Sequence, residues 1–222
     1  MKRRPALALL TLGIAHAPRA LALSQTDAAS GIRTALERGA VAAVGLLGRS
    51  DGFLGNPKVR IPLPKFLDDA AKLLKATGQQ KRVDELVVAM NRAAEAAVPE
   101  AKALLVDAAR KVTVQDALAI VRGGETSVTE YFSGKTREPL GMKFLPIVTR
   151  ATEKVQLAER YNAVAGKAAG LGLVKSKDAN IQQYITGKAL DGLYLMIGEE
   201  EKKIRADPVG TGSKILAAVF GR

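Results

Sequence analysis

The chain has 222 residues, and its 34 Lys and Arg against 22 Asp and Glu give it a net charge of +12. It contains no Cys, and its single His, His16, lies in an amino-terminal segment that has the pattern of a removable export signal. The chain beyond that segment therefore lacks the thiol and imidazole groups that Ser-His-Asp and Cys-His catalysis, thiol redox chemistry and nearly all zinc, copper and haem sites require.

The first 22 residues have the three parts of a secretory signal peptide. Basic residues at 2–4 precede an apolar run over 6–15, and the small residues Ala20 and Ala22 occupy the two positions that a signal peptidase reads. A membrane anchor is the alternative, but the run is shorter than the roughly 18 to 20 residues that span a bilayer. We therefore expect cleavage near Ala22 and a periplasmic domain over 23–222 that does not span the membrane.

The composition favours helices. Aromatic residues make up 4% of the chain and Trp is absent, so the core must be built mainly from Ala, Leu, Val and Ile. Ala and Leu favour helix over strand, and no segment alternates apolar and polar residues with a period of two. We expect an all-α protein: a single multi-helix bundle around a central helix near the carboxyl terminus, with one packed irregular loop segment.

The first helix is predicted over 26–47, where apolar residues recur at helical spacing behind a Thr-Asp cap signal. The next segment, 48–64, contains three prolines and three glycines, which forbid a continuous helix. Because Phe53 and Ile61 are among its apolar residues, we expect this segment to pack on the helices. Such a loop is a candidate for function, and the alternative is a structural strap that closes one end of the bundle.

Four helices are predicted in the next part of the chain. One covers 64–78 and another 80–99, and a proline starts the first of them and ends or kinks the second. A further helix follows that proline. Thr113 then caps a short helix over 114–122, with Asp116 placed to complete a capping box.

Two helices are predicted between 125 and 169. The first covers 125–136, and Pro139 begins the second, because proline fits the first position of a helix. The letters SGKT at 133–136 look like the end of a phosphate-binding loop, but Thr129 stands where such a loop needs glycine, and no predicted strand precedes it. We therefore predict no nucleotide site.

The segment 180–208 is predicted to form the central helix. Its part at 189–197 is apolar on nearly every side, and such helices are normally surrounded by others. Asp178 is predicted to cap the start of this helix. A short terminal helix over 213–220 is predicted to dock on the bundle through its apolar residues.

A resemblance to a known family is carried by four collinear segments: DGFLGNPKVRIPLP (51–64), MNRAAEAAVP (90–99), DALAIVRGGETSVTEYF (116–132) and ALDGLYLMIGEEEKKIRADP (189–208). The chain resembles the bacterial family catalogued as domain of unknown function 4197. The resemblance implies an exported, helical protein and brings no established activity. Family members tend to carry an arginine after the Asn/Asp-Pro motif, whereas this chain continues from Pro208 into Val-Gly-Thr-Gly, so an anion contact from that arginine is not expected here.

Three polar residues in an Ala-rich segment are candidate ligand-binding residues. Asn91, Arg92 and Glu95 are spaced so that Glu95 can accept hydrogen bonds from both neighbours on one helix face. The trio either lines a pocket or forms a self-satisfied group that holds helices in register.

Asp191 is the fourth candidate, because it lies inside the most apolar segment of the chain. An unpaired buried charge costs several kcal/mol, so we expect Asp191 to be buried and paired with a hydroxyl, a backbone amide or an arginine from 90–95 or 127–132. The alternative is a general acid with a raised pKa. Glu201 and Arg205 are four residues apart in the favourable order and are predicted to form a surface or interhelix bridge.

The function expected from these features is that of a periplasmic binding or interaction protein for a lipid-like or anionic ligand or an envelope partner. Two alternatives stay open: a purely structural envelope component, and a hydrolase or lyase that uses Asp191, Glu95, Asp116 and Glu200. The hydrolase needs an open cleft with two carboxyl groups within about 5 to 10 Å of each other. We assign no catalytic residue, no metal site and no cofactor. Nucleic acid is not expected as a partner, because no run of five or six like charges occurs.

Overall fold

The computed structural model describes residues 25–67, 80–124, 127–153 and 180–207, and single positions at 72, 76, 78, 158, 159, 161, 162 and 210. The predicted signal peptide, most of the helix predicted over 64–78, and the predicted terminal helix lie outside these residues. The helices with described bounds are α1 (Gln25–Leu47), α2 (Gln80–Ala97), α3 (Ala101–Arg110), α4 (Val114–Arg122), α5 (Ser127–Thr152) and α6 (Ile181–Ala206). The described residues contain no strand, so the all-α prediction is confirmed.

The helix α6 is the centre of the packing, as predicted. It packs against α1, α2 and α5. Its buried residues recur around most of its circumference, and Leu195 is the exposed apolar exception. The prediction that Asp178 caps this helix is wrong, because the Asn180 side chain accepts hydrogen bonds from the N–H groups of Gln182 and Gln183. Asn180 fits the N-cap position as well as aspartate does, since its carbonyl oxygen accepts the same bonds.

The two helices predicted on either side of Pro139 are one helix. α5 runs through both Pro139 and Pro146 without a break. Each proline removes one backbone hydrogen bond, but the helix is held by a buried stripe with a spacing of four residues that both prolines leave intact. The stripe consists of Val128, Phe132, Thr136, Leu140, Phe144, Val148 and Thr152. α5 ends at Thr152, well short of the end predicted at 169, and Glu153 lies in a turn.

α5 and α6 lie antiparallel and in close contact. Near one end the guanidinium of Arg205 lies 3.2 Å from the hydroxyl of Ser127, and near the other the Gln182 amide donates to Thr152. Between them the hydroxyls of Thr136 and Tyr194 share a buried hydrogen bond of 2.9 Å. These contacts fix the register of the two helices along their full length.

The shorter helices follow the predicted local signals. α2 ends at Ala97, and a 3-10 turn over Val98–Glu100 that contains a proline leads into α3. The capping box predicted at the start of α4 is confirmed, because Thr113 accepts from the Asp116 N–H and the Asp116 carboxylate accepts from the Thr113 N–H. Arg33 of α1 donates twice to the carbonyl of Val112, which ties α1 to the turn between α3 and α4.

Candidate functional site

The irregular segment 48–64 packs on the helices, as predicted, and we call it the braced loop. Its own residues Phe53, Val59 and Ile61 are buried. Turns within the loop satisfy several of its backbone N–H groups, and other inward-facing backbone groups need partners from the helices. The polar residues of α2 and α6 provide these partners.

Glu95 of α2 fixes the first half of the braced loop. Its Oε1 atom accepts hydrogen bonds from the N–H groups of Phe53 and Leu54, each at 3.0 Å. Its Oε2 atom accepts from the Arg92 guanidinium at 2.6 Å. The side chain is only 5% exposed. Both carboxylate oxygens are therefore used in holding the loop, and the charge is balanced by one arginine.

Asn91 fixes the second half of the braced loop. Its Oδ1 atom accepts from the Ile61 N–H at 2.8 Å, and its Nδ2 atom donates to the Ile61 carbonyl at 2.9 Å and to the Val87 carbonyl at 2.8 Å. The side chain is fully buried. The prediction that Glu95 accepts from both of its neighbours is thus right for Arg92 and wrong for Asn91. The amide instead satisfies loop backbone that would otherwise be buried without partners.

Arg92 closes the braced loop on its exposed side. Its guanidinium donates to Asp51 Oδ1 at 2.8 Å and to the Ser50 hydroxyl at 3.1 Å. Hydrogen bonds to the carboxylates of Glu95 and Asp51 raise the pKa of Arg92 above its ordinary value. Asp51 has a φ of 62°, a left-handed conformation that is uncommon outside glycine. The ion pair with Arg92 anchors the side chain of this residue.

α6 holds the other face of the braced loop. Gly192 of α6 lies so close to the loop that a Cβ atom there would meet the Phe53 ring at 2.8 Å and Val59 at 3.2 Å. The Tyr184 hydroxyl donates to the carbonyl of Pro62 at 3.1 Å, and Lys58 forms an ion pair with Glu199. The contact between loop and central helix is therefore closed and leaves no room for a ligand there.

The outer surface of the braced loop is basic. Arg49, Arg60 and the adjoining Lys65 are exposed, and none of them forms an ion pair or side-chain hydrogen bond with another described residue. The polar side chains beneath the loop make hydrogen bonds to its backbone, whereas these three cations face solvent. The site thus combines a fixed backbone with available positive charge.

The prediction that Asp191 is buried is wrong. Its side chain is 52% exposed, and its Oδ1 atom accepts from Arg137 of α5 at 2.6 Å, with the ammonium of Lys188 3.9 Å from Oδ2. The expected pairing with an arginine exists, but Arg137 lies outside both of the segments from which a partner was expected. Leu190 and Gly192 are buried and Asp191 is exposed, because Asp191 lies with Lys188 and Leu195 on the exposed strip of α6.

The four carboxylates considered for hydrolysis are each paired with another group. Glu95 and Asp191 pair with arginines, Glu200 pairs with Lys203 at 2.6 Å, and Asp116 is held in the capping box. Hydrogen bonds from the backbone and then the hydroxyl of Thr113 hold the pKa of Asp116 below its ordinary value. None of these four carboxylates is therefore free to act in hydrolysis, and no three Asp, Glu, His or Cys residues of the described part of the chain are grouped as a metal site.

Glu201 pairs with Arg205, as their spacing predicts, and this pair is largely buried. Its side chain is 5% exposed, and Oε1 accepts from Arg205 Nε at 2.8 Å and Nη2 at 2.6 Å. Its Oε2 atom has no donor at ordinary hydrogen-bond geometry in the described part of the chain, and the Val128 N–H and the Ser127 hydroxyl lie near the carboxylate. Glu201 continues the buried stripe of Leu190, Leu193 and Ile197 at helical spacing, and that continuation was the available signal of burial.

The family model described as protein of unknown function (DUF4197) matches residues 22–221. No curated protein and no solved structure matches the chain. Across the described residues, none of the helices is both long and apolar enough to cross a membrane.

Proposed function

The chain belongs to the DUF4197 family, whose description assigns no activity, and we propose a function for it from the geometry of the braced loop. The protein is an exported binding protein of the periplasm, and its braced loop recognises the phosphate groups of anionic lipid headgroups in the cell envelope. In this proposal the braced loop is the surface that binds the expected anionic envelope component, and phosphate is the group that it recognises.

One observation carries the proposal: a buried carboxylate and a buried amide use their hydrogen bonds to fix an irregular, exposed loop. Glu95 and Asn91 together hold the backbone at Phe53, Leu54 and Ile61. Burying such groups is costly unless every polar atom is satisfied, and a short helix-to-helix connection would avoid the cost. A loop that is already held in one conformation loses little entropy on binding, and this favours a recognition surface over a simple connection.

The charge of the loop surface indicates the class of partner. Arg49, Arg60 and Lys65 are exposed and available. Removal of the first 22 residues takes away four basic and no acidic residues, so the net charge falls from +12 to +8 and the protein stays basic. Guanidinium groups bind phosphate oxygens with two parallel hydrogen bonds, and cations near an anionic membrane surface contribute about 1 kcal/mol each. The interaction needs no membrane-spanning helix and leaves the protein peripheral.

Export supports an envelope partner. The amino-terminal 22 residues have the signal-peptide pattern, and the family match begins at residue 22, where cleavage is predicted. A protein released into the periplasm faces the phosphate-rich surfaces of both bacterial membranes. The location and the charge of the loop are therefore consistent with each other.

The test measures binding of the purified mature protein to vesicles by sedimentation. Vesicles that contain phosphatidylglycerol are compared with vesicles of phosphatidylcholine alone, at low and at physiological salt. We expect binding to the anionic vesicles that weakens as salt rises. The double variant Arg49→Glu and Arg60→Glu should bind at least about 30-fold more weakly, because two favourable contacts of about 1 kcal/mol each are lost.

The matched control reverses the same number of charges elsewhere, at Lys143 and Arg150, which are exposed on α5. It has the same net charge as the loop variant and should keep most of the binding. Equal losses in the two double variants would mean that diffuse charge alone drives the interaction, and the proposed role of the loop would be wrong. Absence of binding to anionic vesicles by the parent protein would overturn the proposal as a whole.

A further inference from the structure

The braced loop carries a cation that is paired with the central helix. Lys58 forms an ion pair with Glu199 of α6, and its side chain is 59% exposed, whereas that of Glu199 is 23% exposed. The hydrogen bond from the Lys58 ammonium, and then its charge, hold the pKa of Glu199 below its ordinary value. Lys58 therefore belongs to the loop proposed to bind phosphate, but its charge is directed at a carboxylate of the protein itself.

The backbone around Lys58 is fixed independently of this ion pair. The Lys58 N–H donates to Asn56 Oδ1 at 3.1 Å, and the N–H groups of Val59 and Arg60 donate to the Asn56 carbonyl at 3.2 and 2.9 Å. Residues 56–60 thus form one closed turn. The ammonium group stands on a flexible stem of four carbons, so it can turn from Glu199 to an external anion while the backbone keeps its position.

Glu199 has a second cation beside it. The Nζ atom of Lys202, one turn further along α6, lies 3.9 Å from Glu199 Oε1, whereas Lys58 pairs with Oε2. If the Lys58 ammonium leaves, the carboxylate keeps Lys202 as a neighbour and water reaches its exposed side. Ion pairs between exposed side chains are weak, so the release of Lys58 costs little.

Arg92 of α2 shows the opposite case. Its guanidinium donates to the buried carboxylate of Glu95 as well as to Asp51 and Ser50. Release of Arg92 would leave a buried carboxylate without a cation, which is strongly destabilising. Of these two paired cations at the braced loop, Lys58 is the one that can change partners.

We propose that Lys58 is a further phosphate-binding residue of the braced loop, and that Glu199 competes with phosphate for it. In the free protein the ammonium group is held by Glu199. At an anionic membrane surface it exchanges this carboxylate for a phosphate oxygen, to which it donates a charge-assisted hydrogen bond. This inference rests on the function proposed for the loop, and it adds a contact within the protein that lowers the affinity of the loop for phosphate.

The experiment is a double-mutant cycle in the sedimentation assay with phosphatidylglycerol vesicles at physiological salt. Glu199→Gln should bind about threefold more tightly than the parent, because Lys58 no longer has a competing carboxylate. Lys58→Gln should bind about twofold more weakly than the parent, because a contact with phosphate is lost. The double variant should bind like Lys58→Gln alone, since Glu199 acts only through Lys58.

The signs of the two single variants separate competition from a structural role. Both variants break the same ion pair, so if the pair only held the loop in place, both would change binding in the same direction. The control for net charge is Glu138→Gln, at an exposed position of α5, which should strengthen binding less than about 1.5-fold because diffuse charge is screened at this salt.

Three outcomes would overturn this inference alone while the parent still binds anionic vesicles. They are equal gains from Glu199→Gln and Glu138→Gln, changes of the same direction in the two single variants of the pair, and a gain from Glu199→Gln that persists in the double variant. If neither the parent nor any variant binds, the function proposed for the loop is wrong, and the role of Lys58 is wrong with it.

Discussion

Asn91 pairs with both backbone polar groups of Ile61, so that one side chain of α2 does for the braced loop what a neighbouring strand does in a sheet. This pair explains why an amide stands at a fully buried position in an Ala-rich helix. It also shows that Asn91, like Arg92 and Glu95, directs its polar atoms to the loop. Four of our predictions concern this bracing and the ion pairs around α6, and a fifth concerns export.

Replacement of Asn91 by alanine should destabilise the protein by about 2 to 4 kcal/mol. Both polar groups of Ile61 would be left buried without a partner, and each unsatisfied group costs about 1 to 3 kcal/mol. The measurement is the free energy of unfolding in urea, followed by circular dichroism. The control is Glu85→Ala, at an exposed position of the same helix, which should change that free energy by less than about 0.5 kcal/mol. A small effect of Asn91→Ala would mean that the loop is not braced by this residue.

Replacement of two glycines of α6 by alanine should change the stability of the protein in opposite directions. Gly192→Ala would place a methyl group 2.8 Å from the Phe53 ring and should destabilise the protein by about 1 to 3 kcal/mol. Gly187→Ala meets nothing within 4 Å and should stabilise it by about 0.5 to 1 kcal/mol through helix propensity. Thermal melts of the two variants beside the parent measure both signs. If Gly192→Ala is neutral or stabilising, the loop does not pack on α6 as closely as described.

Asp191→Asn should change the free energy of unfolding by less than about 1 kcal/mol. Its ion pair with Arg137 is half exposed, and exposed pairs of this kind contribute about 0 to 1 kcal/mol. This expectation replaces the larger cost that follows from a buried position. Urea unfolding at low and high salt measures the effect, and salt should reduce it further. A loss above about 2 kcal/mol would show that the pair is more shielded from solvent than the structure indicates.

Glu201 should make the protein less stable as pH rises. Burial raises the pKa of Glu201 above its ordinary value of 4.5, and this outweighs the Arg205 guanidinium, the Val128 N–H and the Ser127 hydroxyl, which lower it. The folded state therefore holds this proton to higher pH than the unfolded state does. By linkage, the free energy of unfolding falls as pH rises from the ordinary value to the raised one.

Comparison with Glu201→Gln isolates this contribution. The variant cannot titrate at this position, whereas the other carboxylates titrate equally in both proteins. In urea unfolding at a series of pH values, the parent should lose stability relative to the variant as the pH rises above the ordinary value of 4.5. A difference that stays constant, or that grows in favour of the parent as pH rises, would contradict the raised pKa.

Export should remove the amino-terminal segment near Ala22. When the full chain is produced with its own signal, the periplasmic fraction should contain a protein whose amino-terminal sequence begins near Leu23. The control is a chain in which the basic residues at 2–4 are replaced by Ser, which should accumulate uncleaved in the cytoplasm. Recovery of uncleaved parent chain in the cytoplasm would show that the signal pattern is not used.

Local signals in the sequence determined much of the helix pattern. The capping box of Thr113 and Asp116 involves residues three apart, and the prolines and glycines of 48–64 forbid a helix whatever surrounds them, so both features were readable without the fold. The stripe of α6 was readable for the same reason, because burial on a helix recurs with the helical period. Asn91, Arg92 and Glu95 were identified as unusual polar residues on an apolar background.

Long-range packing decided what those residues do. Nothing in the spacing of Asn91 and Glu95 specifies that their partners are backbone groups 30 to 42 residues away. Pro139 lies inside α5 because burial of the stripe on either side of it stabilises the helix by more than one lost hydrogen bond costs. That burial exists only in the folded protein, where α6 packs against α5. Asp191 is exposed and Glu201 buried for one reason: the neighbouring helices cover one side of α6 and leave a strip of the other open, and sequence periodicity does not show where that cover ends.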